Sequence, residues 1–244
     1  EYWTERVKDV AHYDNIYTIG MRGVHDGEMQ GANTLQEQVD VLTRVFDKQR
    51  DMLSTYVDSL PERVPQVFIP YKEVLDVYDA GLSVPDDVTL IWCDDNYGYI
   101  RRLSNEEEQK RSGGSGVYYH VSYWGKPHDY LWLASHQPSL VYSEMKRAYD
   151  NNARKIWILN VGDIKPAEYL TEFFLDMAWD INSVKPENIY AHQKQWLERT
   201  LGKQYAADIA DVMKEYYRLA AIRKPEHMGW SRVQEQGHHK GLSP

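Results

Sequence analysis

Residues 87–94 read DVTLIWCD, an apolar centre closed at both ends by aspartate. A strand with one wet face alternates polar and apolar residues. One that is apolar throughout is covered on both faces, as in a parallel sheet flanked by helices. Parallel neighbours cannot be joined by a tight turn and need a crossover, usually helical. The rest of the chain supplies both parts. Residues 15–20, residues 65–70 between two prolines, residues 116–124 and residues 155–160 read as four further short strands. Helical patterns lie between them. Thr34 with Glu37 three residues on is a capping-box pattern. Val39, Leu42, Val45, Phe46, Met52 and Leu53 then keep helical spacing over residues 35–57. A short helix is predicted toward Gly81, and a charged, helix-prone run (SNEEEQKR) follows the third strand. Further helices are predicted over residues 139–151 and, with Pro166 in the first turn, through Trp179.

Strand–helix alternation of this kind predicts an α/β fold with right-handed crossovers. Polar residues recur at the C-terminal end of each strand: Arg22 with Asp26, Glu73, Asp94 with Asp95, His120, and Asn160. That is the end at which (β/α)8 barrels carry their active sites. A doubly wound sheet binds its ligand at a switch point, usually beside a glycine-rich first turn. Neither GxGxxG nor GxxxxGK[ST] occurs here. The expected fold over residues 1–180 is a (β/α)8 TIM-barrel portion; five strands do not close a barrel, so either early strands are missing from this chain or further ones lie within it. Residues 186–222 then read as helices, with Trp196, Leu197, Leu201, Ile209, Val212, Met213, Tyr216 and Leu219 on apolar faces and a break near Gly202. Residues 181–244 are therefore expected to hold an antiparallel helix pair and a polar tail.

Composition narrows the partners. A net charge of −9 argues against a nucleic-acid or anionic-membrane surface, which needs a clustered basic face. No apolar run approaches the roughly 20 residues of a membrane span. The first ten residues, EYWTERVKDV, read as neither a secretory signal nor an anchor. Cys93 is the single cysteine, which excludes an internal disulfide and a cysteine-based zinc site. Nineteen Tyr and eight Trp against four Phe favour rings with a polar handle, suited to wet surfaces such as sugar sites and protein interfaces. They concentrate in residues 113–134, GGSGVYYHVSYWGKPHDYLWLA. There Tyr118, Tyr119, Tyr123, Trp124, Tyr130 and Trp132 surround His120 and His128, with Asp129 alongside. The stretch reads either as a buried strand with aromatic core partners or as a strand end opening into a cleft where rings stack on sugar faces.

The motifs MRGVHD, FxPYKE, DDNYGxIRRLS, GGxGVYYHVSYWGxPHDYLW and NVGDIKP with FFLDMAWD together resemble the family 115 glycoside hydrolases, the xylan α-1,2-glucuronidases, and are most similar to their gut Bacteroidetes branch. The resemblance covers about residues 16–180. It implies a fragment of a longer protein with an N-terminal domain, a (β/α)8 barrel, a helical bundle and C-terminal β-domains, of which residues 1–180 would hold about five later barrel strands and residues 181–244 the start of the helical bundle. It implies removal of glucuronic acid or its 4-O-methyl form from the O2 of xylose in glucuronoxylan, with inversion and without a cofactor or metal. A periplasmic or secreted location and a homodimer through the full-length protein belong to the same expectation. Arg22 and Asp26 match active-site positions of the family, and Glu73 matches a proposed catalytic carboxylate. His120 and Asn160 match positions that line the substrate pocket.

An inverting glycosidase needs one protonated carboxyl to donate to the leaving oxygen and one carboxylate to activate water, about 6.5–9.5 Å apart. Asp26 and Glu73 sit at the ends of consecutive predicted strands, which lie about 4.8 Å apart, so their side chains can span that gap. Glu73 is read as general acid and Asp26 as base or charge stabiliser, with Asp94 or Asp95 as alternates. A uronate calls for a planar bidentate donor, which Arg22 supplies, with Arg101 as second choice. His120 would donate to a hydroxyl or the uronate, and Asn160 would bridge hydroxyls. Tyr118, Tyr119, Tyr123 and Trp124 would shape the sugar pocket. Taken singly, each has a plainer reading. Arg22 and Asp26 form a local ion pair, Asp94-Asp95-Asn96 is a turn or cap, His120 is a hydrogen-bonded core histidine, and Asp163 caps the following helix. Their recurrence at five strand ends is what argues for a site. Two other classes stay open. One is a metal-dependent hydrolase using His25, Asp26, Asp94, Asp95 and His120, without HxH or HExxH spacing. The other is a carbohydrate-binding scaffold without turnover, against which the intact Asp26 and Glu73 count.

Overall fold

The computed structural model describes residues 2–24, 27–125 and 128–228. Its elements run α1 (Tyr2–Val10), β1 (Tyr17–Thr18), α2 (Leu35–Tyr56), β2 (Gln66–Phe68), α3 (Glu73–Asp79), β3 (Thr89–Cys93), β4 (Ser115–His120), α4 (Pro138–Asp150), β5 (Trp157–Asn160), α5 (Ile164–Trp179), α6 (Ile189–Leu201) and α7 (Lys203–Ile222). The strands form one sheet in the order β1-β2-β3-β4-β5. Tyr17 pairs with Gln66 and Val67 with Thr89, both in parallel register. Strand order that follows chain order has no switch point, so the sheet is singly wound, as in a partial (β/α) barrel, rather than doubly wound.

The chain divides into two compact units, residues 1–93, 102–117 and 151–156, and residues 94–101, 118–150 and 157–244. In the first unit, all five residues of β3 are buried, as its unbroken apolar run requires. Leu90 and Trp92 join Ile19, Leu42, Phe46, Leu53 and Phe68 in one core. The rings of Phe46 and Phe68 meet edge to face, with centroids 5.2 Å apart. Helix α2 begins where the capping box puts it. Thr34 Oγ1 accepts from the Glu37 N–H at 3.2 Å, and Glu37 Oε2 accepts from the Thr34 N–H at 3.3 Å. The helix-prone run after β3 forms only a 3₁₀ turn, Glu108–Lys110. Its side chains are engaged elsewhere: Glu108 bonds Arg102 and Tyr78, while Arg111 bonds the carbonyls of Val84, Pro85 and Val88.

In the second unit, Val141, Met145 and Ala148 of α4 and Leu170, Phe173 and Phe174 of α5 are fully buried. Helices α6 and α7 meet through Leu197, Ala206 and Ala210, with Trp196, Ile209 and Met213 packed around them. Tyr190 near the start of α6 bonds Asp211 well along α7 at 2.8 Å, while Leu197 near its end meets Ala206 near the start of α7. The pair is antiparallel. Gly202 makes the reversal at φ 96, a conformation that a side chain would strain.

Candidate active site

Each unit carries a polar cluster at the C-terminal ends of its strands. In the first, the chain leaves β1 through Gly20, whose peptide is held from both sides by Gln49 of α2 (2.8 and 3.2 Å). Arg22 follows. Its Nε and Nη2 donate to the two oxygens of Glu73, each at 2.9 Å. Glu73 is the first residue of α3, set there by Lys72 at φ 51. The Arg22 and Glu73 side chains are 18% and 24% exposed, so the fork is partly shielded and stronger than a surface ion pair. The Arg22 guanidinium also lies 5.0 Å from the centre of the Tyr71 ring. Tyr71 and Gln49 were not singled out from sequence. The aromatic two places before Glu73 is a signal that could have marked Tyr71; Gln49, on a helix exterior by pattern, had none. Asp26 and His25 lie outside the described residues.

The second cluster gathers around His120, the last residue of β4. Asp94 Oδ1 meets His120 Nδ1 at 2.5 Å, and Asp94 Oδ2 accepts from the Gly98 N–H at 2.9 Å. Burial pushes the Asp94 carboxyl above the ordinary carboxylate range, while the His120 bond and charge and the Gly98 N–H pull it back. Alternation along β4 sends Tyr118 and His120 to one face and Tyr119 to the other. Asn160 Nδ2, at the end of β5, donates to Tyr118 Oη at 2.8 Å. Tyr118 and Tyr123 flank the His120 ring, with centroids 5.2 and 5.8 Å away. Tyr119 is fully buried, stacked on Phe174 with its hydroxyl donating to the Gly98 carbonyl. Beyond His120 the chain turns back on itself through the Tyr123–Tyr130 antiparallel bridge, leaving Trp124 exposed.

Asp95 Oδ1 accepts from the N–H groups of Tyr97 and Tyr99 and so shapes the turn after β3. Arg101 is exposed. Asp163 occupies the N-cap of α5 without a side-chain capping bond. Among the described residues, no three His, Cys, Asp or Glu side chains gather in a metal-binding group, and no helix is long and apolar enough to cross a membrane.

Comparison with known proteins places this geometry. No curated protein sequence matches the chain. Among solved structures, a family 115 4-O-methyl-α-glucuronidase, BtGH115A, with specificity for decorated arabinogalactans, matches at 56% identity and a TM-score of 0.90. The match covers 98% of this chain and 34% of that one, so the chain spans about a third of the relative's length. The family model for Glycosyl hydrolase family 115 matches residues 1–227, which takes in both clusters and every helix described. On that match, the chain belongs to glycosyl hydrolase family 115.

Proposed function

We propose that the protein carrying this chain is a glycosidase that releases glucuronic acid or its 4-O-methyl form from polysaccharide side chains, cutting the α-1,2 link to xylose in glucuronoxylan. The observation that carries this reading is the 56% identity to BtGH115A over nearly the whole chain. The mechanism is inverting, with Glu73 as general acid and Asp26 as base. Arg22 binds the uronate as a fork. Both Glu73 oxygens accept from Arg22, so proton donation by Glu73 requires the guanidinium to pass to the incoming uronate. A charge-assisted fork on the substrate then replaces the one on the protein. In the second unit, His120 and Asn160 orient hydroxyls, and Tyr118, Tyr123 and Trp124 offer rings to the sugar. Tyr119 supports β4 from its other face, and Asp95 and Arg101 border the cluster. The full-length protein works as a homodimer, in the periplasm or outside the cell, with residues 1–180 as barrel and residues 181–244 leading into the helical bundle.

A second substrate reading is favoured by BtGH115A's specificity: glucuronic acid removed from decorated arabinogalactan. One assay separates them. Uronic acid release by the full-length protein is measured on 4-O-methyl-glucuronoxylan and on glucuronic-acid-decorated arabinogalactan, beside the Glu73→Ala and Asp26→Ala variants. The expected result is release by the parent and a loss of about a thousandfold or more in each variant, roughly 4 kcal/mol of transition-state stabilisation. Near-parental rates in both variants would overturn the two-carboxylate assignment. Release from arabinogalactan alone would move the substrate to the second reading. No release from either, with retained binding, would make the protein a carbohydrate-binding scaffold.

A further inference from the structure

Beyond α7 the chain makes a short 3₁₀ turn, Pro225–His227, which packs against the segment that follows β4. The rings of His128 and His227 meet there nearly at right angles, with centroids 4.2 Å apart. Tyr97, in the turn after β3, lies against both. Its hydroxyl donates to the His128 carbonyl at 2.8 Å and accepts from the His128 N–H at 3.2 Å. Its ring centre is 5.8 Å from that of His227. Ser135 Oγ donates to Glu226 Oε1 at 3.3 Å, and Gln137 Nε2 donates to the Tyr217 carbonyl at 2.9 Å. Both histidines are half-buried, so their rings pack closely while protons still reach them. We propose that the His128–His227 pair is a pH-operated latch: as neutral rings they hold residues 223–228 on the segment after β4, and protonation of both releases them.

Histidine is the side chain whose charge ordinarily changes between about pH 5 and 8. Two neutral imidazoles at this spacing pack edge to face. Two imidazolium ions in the same place set like charges side by side, away from full hydration. Among the described residues, the charged and titratable groups around the pair come from every element that meets there. Arg223, Lys224 and Glu226 lie on the turn itself, Asp129 beside His128, and Tyr216 on α7. Tyr97 and Asp95 face it from the turn after β3, and Tyr123, Tyr130 and His136 from the segment after β4. Burial and the approach of His128 hold His227 below its ordinary value, against the pull of the Glu226 carboxylate. The released segment therefore takes up protons more readily than the docked one. Docking is at full strength above the ordinary histidine value, about 6.5, and weakens as pH falls through it. Burial pushes Tyr97 up to about 12, so its hydroxyl keeps the proton it donates across this range. Tyr97 also packs on Tyr130 and Tyr123, at 5.4 and 6.1 Å, and Tyr123 flanks the His120 ring. The latch thus closes on aromatic residues that continue into the His120 cluster.

Backbone hydrogen exchange in the full-length protein tests the proposal, at about pH 7.5 and about pH 5, with rates corrected for the intrinsic pH dependence of exchange. In the parent, protection of residues 223–228 is expected to fall about fivefold or more on acidification, while that of α4 holds. In His227→Gln and His128→Gln, which keep a planar polar side chain without the titration, the fall should stay within about twofold. Protection in the parent that does not change with pH would overturn the latch. So would an equal fall in both variants, or a fall shared by α4, which would make the change a general acid loosening. Thermal melts confirm folding, and if one variant does not fold the other decides. Exchange is read without substrate, so the outcome is independent of the glucuronidase reading.

Discussion

Arg22 has two claims on its fork. The Glu73 carboxylate takes both Nε and Nη2 at 2.9 Å, and a uronate asks for the same planar pair. A lysine offers three rotatable donors around a point charge and cannot reproduce the fork on either partner. Arg22→Lys is therefore expected to lower kcat/KM for uronic acid release by roughly tenfold or more, read by steady-state kinetics on glucuronoxylan. Retention of parental kinetics would separate Arg22 from the uronate. The same residue shows what a sequence can and cannot carry. Its type and its place at a strand end were legible. Its fork onto Glu73 was not, because Glu73 lies 51 residues away; the Arg22–Asp26 pair read from sequence involves a residue outside the described ones. The tyrosines of β4 teach the reverse. Period-two alternation already separated Tyr118 from Tyr119, and the fold puts one against Asn160 and the other against Phe174.

At the scale of elements, the long helix α2 was the most legible part of the chain. Its predicted span, residues 35–57, ends one residue beyond the observed Tyr56, because the cap and the periodicity were both local signals. Thr34→Ala is expected to destabilise the fold by about 1 kcal/mol through loss of the N-cap, measured as a urea midpoint. The turn after β3 was misjudged because its signal is tertiary. Glu108 accepts from Arg102 (2.8 and 3.1 Å), Tyr78 (2.8 Å) and the Asn105 N–H (2.8 Å), contacts that composition alone does not announce. Burial raises the Glu108 carboxyl, but the bonds from Arg102, Asn105 and Tyr78 outweigh it and hold the group below its ordinary value. The unfolded chain thus takes up more protons as pH falls through the ordinary carboxylate range, about 4.3 for Glu. The stability Glu108 contributes is full above that range and is lost on acidification. Glu108→Gln should be less stable than the parent at neutral pH, with the gap narrowing below about pH 4. Urea titrations at several pH values check it, and a gap that holds constant in acid would assign the loss to packing alone.

For the whole molecule, a parallel sheet of five strands was readable from apolar runs and strand-end polarity, whereas closure was not, since five strands do not close a barrel. Burial along the sheet follows its order. Every residue of the central strand β3 is buried, while all four residues of β5, at the end of the strand order, are only half-buried. Helix α5 leaves Trp179 94% exposed and Ile164 70% exposed, and α7 leaves Val212 and Ile222 about as open, at 69% and 68%. Unpaired strand edges and large exposed apolar side chains both favour association. With the chain covering 34% of BtGH115A, residues 1–244 produced alone are expected to self-associate on size exclusion. On the proposed function, they are also expected to release no uronic acid under conditions in which the full-length protein would. A soluble monomer with parental turnover would mean that every group needed for catalysis lies within these residues, with Asp26, Glu73 and the His120 cluster sufficient. Self-association without turnover would instead assign the missing part of the chemistry, or of the packing that positions it, to chain beyond this third.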